Sequence, residues 1–233
     1  MIDMAVDEAA TSLLAPLLNA ALDRLSLALT PEKHGQLLRY LALLGQWNKI
    51  YNLTSVRDPR AMLSQHVIDC LATIEPLRRE AASRPRRRLL DVGSGAGLPG
   101  IVIAIAAPEF QVTCIDSVGK KAAFISQVAS ALKLTNLDAV HGRVEAMDGQ
   151  PTFDIIASRA FSSVSTLVAS TRKLLASGGV WMAMKGQDPV EELALLDLTV
   201  FLFHVEPLDV PGLNAQRCIA WIRKLHESER SLT

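Results

Sequence analysis

Along the chain the spacing of hydrophobic positions changes once. Leu37, Leu38, Leu41, Leu44 and Trp47 recur every three or four residues, which puts them on one face of an amphipathic helix. Thr30-Pro31 supplies its start. The hydroxyl can accept from a free first-turn N–H, and the proline φ suits the first helical position. Asp58-Pro59 repeats the signal before Leu63, Val67, Leu71 and Ile74, predicting a second helix. Residues 48–56 between them form a polar and aromatic connector with Tyr51, Asn52 and Thr54. Residues 1–80 therefore read as a helical extension, and the arginine-rich residues 81–88, with Pro85, as an exposed basic linker.

From Leu89 the pattern becomes short β-rich runs alternating with helical stretches. Strands are expected at 89–92, 111–115, 138–141, 153–157, 180–184, 200–205 and 218–223, with helices near 98–107, 118–133, 164–175 and 189–196. Only a turn with Pro207, Pro211 and Gly212 separates the last two strands, so they should pair as an antiparallel hairpin. The pattern predicts an α/β fold over 89–226: a doubly wound, seven-stranded, mostly parallel sheet with one reversed strand, and a short tail at 227–233.

Composition alters this picture little. Hydrophobic residues make up 49% of the 233 and charged residues 21%, with a formal net charge of +0. There is a core to bury, and no global basic field to coat nucleic acid non-specifically; a local basic patch stays open. Cys70, Cys114 and Cys218 are scattered and form no C-x-x-C pair, which predicts buried reduced thiols and no metal site. Asp3, Asp7 and Glu8 stand where a signal peptide carries basic residues, and no apolar run approaches the roughly 18 residues of a membrane span. The expectation is a soluble cytoplasmic protein, monomeric and without a membrane partner.

Candidate chemistry concentrates after the first strand. Residues 95–100 (GAGLPG) satisfy the dinucleotide pattern G-x-G-x-x-G, with Asp116 about 20 residues on. Three details favour S-adenosylmethionine (AdoMet). Gly93, Gly95 and Gly97 alternate, which lets the backbone approach a flat nucleoside. Asp91, just before the loop, is a poor neighbour for pyrophosphate but a partner for an ammonium, directly or through water. Pro99 removes an N–H that a pyrophosphate would use and AdoMet would not. Asp116 can accept from both ribose hydroxyls, or else start the next helix; if Ser117 is the cap, Asp116 is left free. Val144 and Glu145 follow the third strand, where the adenine edge would lie, although a glutamate there can simply be solvated.

DVGSGAGLPGIV (91–102), DSVGKKAAF (116–124), GRVEA (142–146), SRAF (158–161) and MKG (184–186) follow in order, preceded by WNKIYNLTSV (47–56) and HVIDCL (66–71). Together they resemble the ribosomal RNA small-subunit methyltransferase G family, also called glucose-inhibited division protein B, over about residues 30–225. Cys70 departs from the serine more usual in that family, and the first 28 residues match nothing in particular. The resemblance implies a Rossmann-like class I methyltransferase that acts with AdoMet on 16S rRNA of the small ribosomal subunit, at N7 of a guanine in the 530 loop. It carries over Gly93, Leu98, Val144, Glu145 and Arg159 as cofactor-binding positions.

Guanine N7 has a lone pair and no proton, so this transfer needs positioning and no general base. Residues 158–161 lack the Asn/Asp-Pro-Pro-aromatic signature of amino methylation, and no Pro-Cys nucleophile occurs there. Arg159 and Lys185 should end adjacent strands and serve the reaction, Arg159 at the cofactor–base junction and Lys185 on guanine or backbone; each could instead make a structural ion pair. Lys120, Lys121 and Arg143 could extend a basic patch toward RNA, as could Arg86, Arg87 and Arg88 with Arg78, Arg79 and Arg84, unless these are solvated charges. Trp47, Tyr51 and Asn52 could stack on an unpaired base, but an aromatic at helical spacing is more often core, and Trp47 reads as core. A methyltransferase with another substrate and a non-catalytic AdoMet-binding ribosome-assembly factor remain open at this point.

Overall fold

The protein is described by a computed structural model covering residues 8–84, 86–148, 152–159, 163–186 and 200–225. The expected helix at 189–196, Pro85, Ala160-Phe161 and the tail 227–233 lie outside the described residues.

Seven strands form one sheet: β1 (Arg88–Val92), β2 (Gln111–Asp116), β3 (Leu137–His141), β4 (Phe153–Arg159), β5 (Leu175–Lys185), β6 (Val200–Pro207) and β7 (Cys218–Lys224). Their order is β3-β2-β1-β4-β5-β7-β6. Neighbours pair in parallel except around β7, which runs antiparallel to both β5 and β6. The predicted hairpin and reversed strand are both present. The chain leaves β1 outward to β3 and returns to β4, so the order reverses between β1 and β4; the crevice at the carboxyl end of such a sheet is where ligands bind in open α/β folds.

Alternation along the strands builds two cores. Leu89, Val112, Cys114, Ile155, Ala157 and Met182 face one side; Leu90, Val92, Ile115, Ile156, Trp181 and Ala183 face the other. The second face is covered by α8 (Val164–Thr171), whose Thr171 hydroxyl accepts from the Trp181 indole at 2.8 Å. The first is covered by α6 (Gly100–Ala106) and α7 (Gly119–Ala131), and these by the amino-terminal helices. One continuous core runs from Leu14 and Leu18 through α6 to Trp221, so the helical extension is packed into the α/β unit.

The amino-terminal helices are α1 (Glu8–Arg24), α2 (Pro31–Tyr51), α3 (Pro59–Met62), α4 (Asp69–Leu71) and α5 (Ile74–Glu80). Thr30 and Asp58 cap as expected, accepting from Lys33 N and Ala61 N. The second predicted helix is not uniform: Leu63–Ile68 between α3 and α4 is π-helical. Wider winding leaves carbonyls without their usual partners, and the Gln65 carbonyl is used by another part of the chain, as shown below. Trp47 packs on Tyr51 and on Phe124 of α7, with ring centroids 5.0 and 5.4 Å apart, and lies half-buried against the core. Of the expected exposed linker, Ala82, Ser83 and Arg86 are exposed, while Ala81 is buried, Arg84 pairs with Glu80, and Arg88 begins β1.

Candidate active site

The glycine loop between β1 and α6 is held by its own backbone. Gly93 N and Ser94 N donate to the Ile115 carbonyl at 2.9 and 3.2 Å, while Gly97 N and Leu98 N donate to Ser94 O at 2.8 and 2.9 Å. Gly95 N donates to Asp116 Oδ2, and Gly100 N to Asp91 Oδ2, both at 2.9 Å. Between Gly93 and Gly100, with Pro99 having no N–H, Ala96 alone makes no such donation among the described residues. A pyrophosphate needs a fan of free N–H groups. This loop has spent nearly all its donors on itself and on the end of β2, which counts against the dinucleotide reading. Helix α6 starts at Gly100 rather than at the predicted 98, because Leu98 and Pro99 belong to the loop.

Two glycines matter sterically. Gly97 has φ +83, and a Cβ there would overlap the Ile101 side chain, so its absence lets α6 close on the loop. Gly95 has φ +59, and a Cβ there would make only ordinary contact, with the Gly93 carbonyl oxygen at 3.9 Å. From the helical layer, the buried Tyr40 hydroxyl donates to Ala96 O at 2.8 Å and fixes the loop from behind.

Beside the loop lies a cleft of about 290 Å³ lined by Gly93, Asp116, Lys121, Arg143, Val144 and Glu145 among others. Four predicted cofactor positions and two predicted cations thus share one concavity. The Asp116 carboxylate accepts from Gly95 N and from Val118 N, 2.9 Å each, with Lys121 Nζ at 3.8 Å. Ser117 is not the cap: α7 starts after Val118 without a side-chain cap bond. Each Asp116 oxygen keeps a second lone pair, so a vicinal diol can still be accepted. Glu145 follows β3 in a short 3-10 turn and faces Arg143 at 3.6 Å. Lys120 lies in the first turn of α7, next to Lys121.

Asp91 and Leu98 do not line this cleft. Leu98 is buried in the core. Asp91 lies beneath the loop with no exposed surface; its Oδ2 holds Gly100 N, and its Oδ1 is buried without a partner. Burial raises its pKa to about 6, against the lowering effect of the Gly100 N–H, Ser94 and the Arg159 charge.

Arg159 and Lys185 do end neighbouring strands, with Arg159 paired in register to Met184. Lys185 lines a small hollow with Ser158 and Ser163. The Arg159 guanidinium donates to Gln65 O of the π-turn at 2.8 Å and to Asp69 Oδ2 at 3.2 Å. Its other nitrogen is 3.4 Å from His66 Nδ1. Arginine only donates, so Nδ1 accepts and His66 carries its proton on Nε2, toward Thr54 Oγ1 at 2.9 Å. Burial, then the Arg159 charge, lowers the His66 pKa to about 4, which keeps it neutral. Asp69 Oδ1 accepts from Arg217 Nε at 3.1 Å, so one buried carboxylate holds two arginines. Asn48 anchors the connector through Thr54 N and Val56 O. Arg159 is therefore ion-paired, with 22% of its side chain still exposed.

Sequence reasoning does not single out Asp69, His66 or Arg217. A signal exists for two of them: Asp69 is a polar position that interrupts the apolar stretch running from Val67 to Ala72, and His66 stands at its start. Nothing local marks Arg217.

Arg86, Arg87 and Arg88 lie at the start of β1, at the opposite end of the sheet from the glycine loop. Arg78 pairs with Glu75 and Glu109, Arg79 with Glu206, and Arg84 with Glu80. The structure does not bring this group to the cleft. All three cysteines are buried and free. Among the described residues there is no cluster of three metal-ligating side chains and no helix long and apolar enough to cross a membrane.

A family model described as rRNA small subunit methyltransferase G matches residues 33–220. The chain belongs to that family. Curated relatives named ribosomal RNA small subunit methyltransferase G include one from Polaromonas sp. (strain JS666), 56% identical over 209 residues and covering 88% of this chain and 92% of that protein. Another, from Methylibium petroleiphilum, is 54% identical and covers 86% and 90%. Among solved structures, a point mutant of MtNAS in complex with S-adenosylmethionine aligns with a TM-score of 0.55, 14% identity, and coverage of 93% and 92%. TrmN from Thermus thermophilus aligns at 0.52 with 20% identity, over 70% of this chain and 53% of that one. These two likenesses establish the Rossmann-like methyltransferase fold, and family membership establishes an rRNA methyltransferase. The match begins at Lys33, so α1 lies outside it.

Proposed function

We propose that this protein transfers the methyl group of AdoMet to N7 of a guanine in the 530 loop of bacterial 16S rRNA. The observation that carries the cofactor half of this reading is the glycine loop with its N–H groups internally used, set beside a cleft that contains Asp116, Val144 and Glu145. Such a loop suits a ligand without phosphates. The residues fit AdoMet on a second count: Asp91 is buried with one oxygen unpartnered, an environment that gains from a cation brought to the loop. Gly93 and Gly95 admit the ligand to the backbone, Asp116 accepts from its ribose, and Val144 and Glu145 border its adenine. When bound, AdoMet supplies an electrophilic methyl group on a sulfonium sulfur.

The remaining residues have a positioning task. Guanine N7 presents a free lone pair, so no side chain removes a proton. Guanine also offers O6 beside N7, and a cation can hold O6 or the adjoining phosphate while leaving N7 free. Arg159, fixed by Gln65, Asp69 and His66, is charged and pre-oriented at the carboxyl edge of β4, and Lys185 stands on the next strand. Lys120, Lys121 and Arg143 extend positive charge along the cleft rim. The reading is tested by radiolabelled methyl transfer to 30S subunits, naked 16S rRNA and other cellular RNA and protein. Label in the 16S component is expected. AdoMet binding with no incorporation into any RNA would overturn the enzymatic reading.

A further inference from the structure

The helical layer contains a second cleft, of about 440 Å³, that shares no residue with the glycine-loop cleft. Its volume lies within the roughly 300–1,000 Å³ of small-molecule sites. The walls are Leu14 of α1, Leu38 and Leu41 of α2, and Met62 of α3, all buried. Leu14 comes from outside the family match, so one wall of this cleft is contributed by the part of the chain that the family model does not cover.

Three observations indicate an occupant. Gly45 lies inside helix α2 and lines the cleft, and a Cβ there would meet nothing within 4 Å. Glycine weakens a helix relative to alanine, and here no neighbouring group requires its smallness. The next residue, Gln46, also lines the cleft, and its Oε1 is buried without a hydrogen-bond donor; a buried acceptor left unmade is costly, and a bound N–H or O–H would satisfy it. At the rim stand Lys49 and Arg57, both exposed. Among the described residues neither has a carboxylate partner: Arg57 donates only to the neutral Asn52 amide, and the neighbouring Asp58 is occupied capping α3.

We propose that this cleft binds a small organic anion with an apolar body and one hydrogen-bond donor. The body fills the space between α1, α2 and α3, the donor reaches Gln46 Oε1, and the anionic group meets Lys49 and Arg57. The site is independent of methyl transfer.

The probe is 8-anilinonaphthalene-1-sulfonate, which combines an apolar body, an N–H and one negative charge. N-phenyl-1-naphthylamine, without the sulfonate, is its neutral counterpart. Fluorescence titration of the full chain should show one saturable site that S-adenosylhomocysteine does not displace. The neutral analogue, and the double variant Lys49→Glu/Arg57→Glu, should each bind about tenfold more weakly, the scale of a lost charge-assisted contact. Gly45→Leu, filling the cleft, should abolish binding. If Gly45→Leu does not fold by circular dichroism, Ala42→Val, one turn away in the same lining, serves as the filling variant. Wild-type affinity in a folded filling variant, displacement by S-adenosylhomocysteine, equal affinity for the neutral analogue, or no saturable binding would each overturn the proposal.

Discussion

Replacing Asp91 with asparagine removes a charge that the fold buries completely. Burial holds the Asp91 pKa near 6, against an ordinary 3.8. The folded protein therefore binds this proton more tightly than the unfolded chain does. The stability Asp91 contributes is fully present below about pH 4 and is lost as pH rises through 6. A difference of about two units, at 1.36 kcal/mol each, makes the ionised carboxylate cost about 3 kcal/mol at neutral pH. The asparagine side chain would keep an oxygen for Gly100 N and shed that cost. His66 carries the opposite slope over nearly the same window: with its pKa lowered to about 4, its contribution is present above 6.5 and is lost as pH falls through 4. The wild-type profile thus conceals both, and the difference between wild type and Asp91→Asn isolates one. Urea unfolding of each protein from pH 4 to 8, without cofactor, should show the variant gaining up to about 3 kcal/mol above pH 6 and nothing near pH 4. Calorimetry at pH 7.5 should show the same variant binding AdoMet more weakly. A difference curve that is flat across this range would refute the assignment of the charge.

Gly97→Ala and Gly95→Ala should separate steric from conformational cost. Both force a side chain onto positive φ, about 1–2 kcal/mol, but only the methyl at position 97 also collides with Ile101; AdoMet binding should be abolished in the first and only reduced in the second, by calorimetry. Asp69→Ala leaves Arg159 and Arg217 without their shared carboxylate and should cost about 3–5 kcal/mol in urea unfolding. In the folded fraction, methyl transfer should fall more than AdoMet affinity, because Arg159 is placed at the cofactor–base junction; unchanged methyl transfer would contradict its positioning role. Neutralising Lys120, Lys121 and Arg143 should lower the log–log salt slope of RNA binding by about one per lost phosphate contact, whereas replacing Arg86, Arg87 and Arg88 should leave it unchanged. The reverse pattern would move the RNA surface to the other end of the sheet.

Much of the fold was legible because it is written in local signals. Thr30-Pro31 and Asp58-Pro59 start helices where expected, and the alternating strands predicted the sheet and its reversed member. The π-turn at Leu63–Ile68 was not visible, because its apolar spacing resembles that of an α-helix and the Arg159 guanidinium that binds its Gln65 carbonyl is distant in sequence. Asp116 could be placed at the cleft from its position at the end of a strand, whereas the position of Glu145 left simple solvation open and the family resemblance carried it. Asp91 sits at the predicted end of the strand, but its burial beneath α6 depends on the absence of a Cβ at Gly100, which would otherwise strike Cys114 and Asp91 itself. The Asp69 cluster joins residues 65, 66, 69, 159 and 217, and no spacing rule connects them. The position of the linker arginines was not legible, because a run of charge in sequence says nothing about which end of a sheet it occupies.

Reduction with borohydride and aniline scission cleave RNA at N7-methylguanine, and primer extension locates the break. Small-subunit rRNA lacking the modification, incubated with this protein and AdoMet, should acquire a single cleavage at a guanine of the 530 loop, absent with Arg159→Ala. Methyl incorporation without any aniline-sensitive guanine, or cleavage outside that loop, would exclude N7 of a 530-loop guanine as the acceptor.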